Sequence, residues 1–355
     1  MKRCVLLHFL IFTFLHCSLC FLLPASAQQF TLTVDTVKVD TTDMACSGTF
    51  AHKLSFIAKQ KDKIYCLYNS KGVVRVDGKC RFNQLLTLDE MGQIQQFPLS
   101  DDVTYNISRG EGLFVRNDSL ILRTHGSYST SVFTVKWEKE HGYKDDEMAT
   151  CDYYWDQKAS LWREIPFADD HIYEDKQYKV SIWPCGEWGT YTRFLTKKTG
   201  KEYIYRCTPT RVYKQKDGYY LISVDSIMCI SDPTKGHIYQ GERCEDVDLK
   251  KLYTKPAALI KTPEHVYTSF MLKKRLYLIM KSAEGICLAS YQDGSISKVM
   301  ELGCDYTPYI YQSYMRDCDS PKDHTLLMFI DRKTTNNAIL TVEGTKMRLR
   351  YLIYK

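Results

Sequence analysis

The sequence is poor in the short signatures that usually betray chemistry. It has no HExxH, no two histidines close together and, after Cys20, no CxxC, so none of the familiar zinc spacings is present. No GxSxG elbow and no glycine-rich phosphate loop occurs either, and neither a metal nor a cofactor is expected. A Ser-His-Asp triad is assembled in space and leaves no such signature, so its chemistry is untouched by these absences. After Leu23 no run of roughly 18 apolar residues remains, which excludes a later membrane-spanning helix. No stretch carries a long apolar stripe at helical period, so helices are not expected to build the fold. Positive charge is present but never massed. The formal net charge of +6 is spread along the chain, which argues against a nucleic-acid partner, whose phosphates call for one concentrated basic face.

What is present begins with a basic start, Met1-Lys2-Arg3, then an apolar run from Cys4 to Leu23, Pro24, and Ala25-Ser26-Ala27, the small-x-small pattern that precedes a signal-peptidase cut. Residues 1–27 are therefore expected to be a cleaved signal peptide. Residues 28–355 are expected to be a single domain, periplasmic or extracellular, soluble and not membrane-associated. Cleavage leaves 328 of the 355 residues, a net charge of +4 once Lys2 and Arg3 are gone, and 11 of the 14 cysteines, since Cys4, Cys17 and Cys20 depart. An odd number leaves at least one thiol over even where export permits disulfides. Cys66, Cys229 and Cys287 lie inside the apolar runs IYCLYN, SIMCIS and GICLAS and are expected as free thiols behaving as small hydrophobes.

Strand signals are dense. FTLTVDTVKV, from Phe30 to Val39, alternates Phe30, Leu32 and Val34 and then Val37 and Val39, which predicts a strand with a bulge between the two sets. KMRLRYLIY alternates Met347, Leu349, Tyr351 and Ile353. Between them GLFV, SLILRT, SVFTVKW, YYLISV, LYLIM and TLLMFI are short β-branched and aromatic runs bounded by Gly, Asp, Asn and Lys. The 26 tyrosines and 15 phenylalanines suit pleated surfaces whose aromatic pairs pack across strands.

The strands repeat. Thr208-Pro209-Thr210-Arg211-Val212-Tyr213 leads into YYLISVDSIMCIS, and Thr262-Pro263-Glu264-His265-Val266-Tyr267 into LYLIMKSAEGICLAS. Thr307-Pro308-Tyr309-Ile310-Tyr311 leads into TLLMFIDRKTTNNAILTV, so the copies start 54 and 45 residues apart. A unit of this size cannot bury both faces of its own sheet, so neighbours must stack on it. Sheets stacked around an axis give an all-β β-propeller, here of about six four-stranded blades, with a β-sandwich pair as the alternative. KIYCLYNSKGVVRV and GLFVRNDSLILRTHGSYSTSVFTVKW are read as hairpins of earlier, more divergent units. The strand at Phe30–Val39 beside that at Met347–Ile353 is expected to close the ring and remove its edges.

CGEWGTYTRFLTKKTGKEYIY, from Cys185 to Tyr205, precedes the first Thr-Pro element. TRFLTKKTGKEYIY predicts a hairpin with Gly200 in a left-handed turn position, and Gly186 and Gly189 bracket the strand start. With the following KQKDGYYLISV and Ile230-Ser231-Asp232-Pro233, this stretch resembles a pattern in uncharacterised exported β-propeller-like proteins of Gram-negative bacteria: GEWG, a TGK turn, a GYY strand and an IxDP ending. The resemblance covers about 50 of the 355 residues, Cys185 to Pro233. It implies an architecture and an export route and carries over no catalytic residue.

Glu187 admits two readings. As a catalyst of glycoside cleavage it needs a second carboxylate roughly 5–10 Å away, for which Asp169, Asp170, Glu174 and Asp175 in FADDHIYED are candidates. As structure it caps backbone N–H groups at a sheet corner, which is the preferred reading. Trp183, Trp188 and Tyr191 are candidate binding residues, as aromatic faces for a sugar or a partner. The charged stretch Trp137–Asp152 is read as a surface loop, without the spacing of a calcium site at Asp145, Asp146 and Glu147. The leading expectation is an exported, non-catalytic binding module for a glycan or a protein partner. A carbohydrate-active hydrolase with carboxylates at the central channel and a structural envelope component are the alternatives. Converging carboxylates would favour the first alternative, and a broad apolar patch on the outer rim the second.

Overall fold

Each Thr-Pro element opens the innermost strand of a sheet, where the N–H that proline lacks has no neighbour to serve. The computed structural model describes residues 29–40, 52–76, 79–99, 109–125, 150–165, 171–185, 189–241, 254–309 and 324–355. Across them the chain is all-β, a ring of six blades, with no α-helix among the described residues. This is the propeller expected; the sandwich alternative is excluded.

The N-terminal strand β1 (Thr31–Val39) is held back for closure. Blade one is β2 (His52–Gln60), β3 (Lys63–Val76), β4 (Lys79–Leu88) and β5 (Ile94–Phe97). Blade two is β6 (Arg109–Arg116), β7 (Ser119–His125), β8 (Thr150–Asp156) and β9 (Leu161–Ile165). Blade three is β10 (Tyr173–Glu174), β11 (Tyr178–Pro184), β12 (Thr190–Thr196) and β13 (Glu202–Tyr205). Blade four starts with β14 (Arg211–Gln215), β15 (Gly218–Ile222) and β16 (Ser226–Ile230), leaves through β17 (His237–Ile238), and ends with β18 (Ala257–Lys261). Blade five is β19 (Val266–Leu272), β20 (Arg275–Ser282), β21 (Gly285–Gln292) and β22 (Ser295–Glu301). Blade six is β23 (Thr307–Pro308), β24 (His324–Ile330), β25 (Asn337–Glu343) and β26 (Lys346–Tyr354), with β1 added outside.

The closure joins the predicted partners. β1 pairs with β26 in parallel, in register from Thr31 opposite Lys346 to Val39 opposite Tyr354 without a shift. The expected bulge is absent. Both apolar sets are used because a blade has two faces: Phe30 and Leu32 pack with the cluster shared by blades five and six, whereas Val37 and Val39 pack with the one shared by blades six and one. Two other expectations are corrected. KIYCLYNSKGVVRV is the single strand β3, whose pairing with β4 shifts register between Asn69 and Val74. Asp152, expected in a surface loop, sits in β8 and is 0% exposed. SVFTVKW lies outside the described residues.

The β12–β13 hairpin forms as predicted, with Gly200 at φ 68°. The Ile230–Pro233 ending is the point where the chain leaves blade four. The Asp232 carboxylate accepts the Thr234 N–H at 3.0 Å and caps a single 3₁₀ turn over Pro233–Lys235. Beyond it β17 crosses to pair with β13, covering the outer edge of blade three. Only glycine fits at Gly236, where a Cβ would lie 2.5 Å from the Tyr205 ring.

Five of the six seams between blades hold an apolar cluster contributed by both sides. Side chains such as Leu288, Leu327, Phe329 and Leu340, at most 1% exposed, each contribute about 1.5–3 kcal/mol by leaving water. The seam between blades two and three differs. Leu113, Val115, Leu120 and Leu122 face blade one, so the alternate positions Phe114, Ile121 and Arg123 face blade three. Among the described residues no apolar cluster joins these two blades. Arg123 and Asp152 are instead 1% and 0% exposed there, with Arg123 Nε and Nη2 donating to the two Asp152 oxygens at 2.5 and 2.6 Å.

Candidate functional site

The carboxylates come first, because hydrolysis depends on them. A glycosidase needs one carboxyl held protonated near neutral pH by a raised pKa. Asp156, Asp175, Asp232, Glu301 and Asp331 all depart from the ordinary range, and all depart downward. The Arg163 guanidinium is the main cause at Asp156, and the Thr234 and Thr334 hydroxyls at Asp232 and Asp331. Burial is the largest single influence at Asp175 and pushes upward. It is outweighed by the Tyr178 and Gln177 N–H groups and the Tyr219 and Tyr173 hydroxyls together. At Glu301 burial likewise pushes upward and is outweighed by Lys298 and Ser282. Glu174, one of the candidate partners for Glu187, is ion-paired with Lys197.

Glu187, Trp188, Asp169 and Asp170 lie outside the described residues, as do Asp145, Asp146 and Glu147. Trp183 and Tyr191 face each other across β11 and β12, with ring centroids 6.0 Å apart. Tyr191 is 2% exposed, so its ring lies in the interior. Trp183 is half-buried against Tyr239 at 5.2 Å, with the Arg193 guanidinium 5.6 Å from its ring. Arg193 is in turn paired with Glu202. Cys66, Cys229 and Cys287 are free as expected, and Cys185 is disulfide-bonded.

Among the described residues, clefts open where strands of neighbouring blades reach their turns, and two of them lie at the end of the ring carrying the turn after the innermost strand. The larger, about 540 Å³, lies at the closure between blades six and one. Three of its four cations are consumed internally, and the fourth, Lys346, is exposed. Arg350, 4% exposed, donates to Asp35 and to the Asp89 and Glu90 carbonyls at 3.3, 2.6 and 2.9 Å. Arg348 donates to Asp35 at 2.8 Å and to the Glu90 carbonyl at 2.7 Å. Lys59, 7% exposed, pairs with Glu343. This arrangement clasps β1 to blade one and leaves little for a ligand.

The smaller cleft, about 340 Å³, lies between blades four and five. It is built on the two-residue turn Lys273-Lys274 between β19 and β20, where Leu272 pairs with Arg275. Both lysines hold positive φ, 48° and 66°, the geometry of a type I′ turn. That turn favours Asn-Gly or Asp-Gly, and the chain uses such residues elsewhere, at Asn117-Asp118 and at Asp293-Gly294. A lysine in this region costs about 1–2 kcal/mol because its Cβ crowds the following carbonyl. Lys273, Lys274 and Arg275 form no ion pair with any described residue, although Lys273 and Lys274 are exposed and Arg275 is half-buried. Tyr220 and Tyr291 form the floor, ring centroids 6.4 Å apart, and Gln215 and Gln292 flank it. Burial pushes the Tyr220 hydroxyl up to about 12, with help from its hydrogen bond to Asp217, so it remains a neutral donor at ordinary pH. Sequence reasoning passed over these residues. Their signal was available in FMLKKRLYL, where two lysines stand at a tight turn between strands.

No family model matches the chain, and no curated protein does either. Solved structures with a similar fold include the β-propeller domain of the Trilobed protease from Pyrococcus furiosus, 10% identical with a TM-score of 0.34, covering 84% of this chain and 97% of that one. A putative 6-phosphogluconolactonase from Bacteroides uniformis is 13% identical with a TM-score of 0.34, covering 82% of each chain. The dihydro-heme d1 dehydrogenase NirN is 11% identical with a TM-score of 0.33; the chain spans 54% of its length. Likeness at this level carries no argument about the chain, whose fold is read from its own strands and their pairing.

Proposed function

We propose that the protein is an exported, non-catalytic binding module that holds a glycan at the turn end of the propeller, in the cleft between blades four and five. The observation that carries this reading is the unspent charge of Lys273, Lys274 and Arg275, displayed on a strained turn beside two tyrosines. Backbone strain of this kind persists where it serves a site. A glycosidase is disfavoured because each described carboxyl with a shifted pKa is shifted away from general-acid duty. A structural envelope component is disfavoured because the exposed large apolar residues are dispersed. Among the described residues Met91, Leu161, Ile238, Leu259, Val299 and Val34 fall one to a blade, on the outermost strand or the turn before it. The same dispersion favours a glycan over a protein partner. The test is a glycan-array screen of residues 28–355 followed by hydrolysis assays on every hit. Binding without turnover is expected, and turnover of a bound glycan would overturn the reading.

A further inference from the structure

From the same cleft, and resting on the binding reading above, we infer a ligand class: a sugar unit bearing a sulfate or phosphate ester. The lining of the cleft carries three cations, Lys273, Lys274 and Arg275, against one carboxylate, Asp293, with a second, Asp217, 3.1 Å from the Tyr220 hydroxyl. Asp293 belongs to its own tight turn with Gly294, at φ 49° and 80°. The cations therefore act together on whatever enters, and a neutral sugar uses none of that charge. A tetrahedral oxyanion does, since a lysine ammonium binds it as a point charge and an arginine guanidinium through paired N–H donors. The Tyr220 ring and the Gln292 amide offer a face and a polar group to the remainder of a sugar. A volume of about 340 Å³ is near the lower bound of small-molecule sites, roughly 300–1,000 Å³, and suits one ring and its ester better than a polymer surface.

The strain in the turn supplies an unusual test. Lys273→Asn with Lys274→Gly installs the pair that a type I′ turn prefers and removes two charges. This double variant is expected to melt about 1–3 °C higher than the parent while binding glucose 6-sulfate and glucose 6-phosphate at least about tenfold more weakly. Arg275→Gln should weaken both ligands comparably with no gain in melting temperature. Titration calorimetry would use these two esters, glucose, inorganic sulfate and inorganic phosphate, and phosphatidylglycerol vesicles. Tighter binding of the esters than of the inorganic ions or vesicles supports the inference. Vesicles binding more tightly than the esters would make the site a lipid-headgroup site and overturn the sugar assignment. Equal binding of glucose and its esters, or ester binding unchanged in the double variant, would overturn the inference while leaving the binding-module reading standing. Hydrolysis of a bound sulfated glycan would do the reverse.

Discussion

The buried pair Arg123–Asp152 offers the sharpest test of how the ring is held at its least apolar seam. Both side chains are essentially out of water, and two short hydrogen bonds run between them. Two ions so placed have lost hydration that their attraction only roughly repays. Removing one therefore leaves the other buried without its ionic counterpart and costs about 3–5 kcal/mol, whereas replacing both by apolar residues is neutral or stabilising by up to about 4 kcal/mol. Unfolding entropy of about 2.1 cal/mol/K per residue, taken over 355 residues, gives roughly 0.7 kcal/mol/K, so either single loss lowers the melting temperature by about 4–7 °C. Asp152→Ala and Arg123→Met should each show that drop, and Arg123→Met with Asp152→Leu should melt at or above the parent. Hydrogen exchange should show β7 and β8 losing protection first in the single variants, because no apolar cluster of described residues ties blade two to blade three. The reasoning fails if either single variant loses less than about 1 kcal/mol, or if the double variant loses the sum of the two.

Three further outcomes are expected. Gly218 sits at φ 153°, and a Cβ there would lie 2.6 Å from the Ile230 carbonyl oxygen, so Gly218→Ala should cost more than about 1 kcal/mol in urea melts. A neutral result would mean that blade four relaxes more freely than its register suggests. Burial pushes the Cys66 and Cys207 thiols up to about 12, so mass-mapped labelling at pH 8 should modify half-buried Cys229 well before either, and reach those two only on unfolding. Asp175 has its pKa lowered in the fold, so its contribution is complete above the ordinary carboxylate range near 3.9 and is lost as pH falls through the lower folded value. Melting temperature followed from pH 6 to pH 2 should therefore fall more steeply in the parent than in Asp175→Asn, and equal slopes would remove Asp175 from the acid response.

How far the molecule could be read without coordinates follows from what each signal depends on. The Thr-Pro elements and the aromatic runs are local features, and they located blades four, five and six because a strand of a thin sheet declares itself within a few residues. The closure of β1 on β26 was legible for a related reason: two long alternating strands at opposite ends of one chain have little else to pair with. The bulge in β1 was a wrong prediction because alternation assumes one buried face, and a blade wedged between neighbours buries both. KIYCLYNSKGVVRV reads as a hairpin from its sequence, whereas in the fold the extra residues between Asn69 and Val74 are absorbed by a register shift in the pairing of β3 with β4. Asp152 was hidden by its surroundings, since a carboxylate in a charged stretch points to solvent unless a cation 29 residues earlier is known to face it. The same limit governs the site. Tyr191 and Trp183 are candidates as aromatic faces for a sugar or a partner, but an aromatic side chain carries no record of which way its strand turns it. Lys273 and Lys274 were passed over because charge on a turn is ordinary. What singles them out is conformation, two left-handed lysines where the fold would accept Asn-Gly, and the absence of a described counter-ion, and both are properties of the folded chain alone.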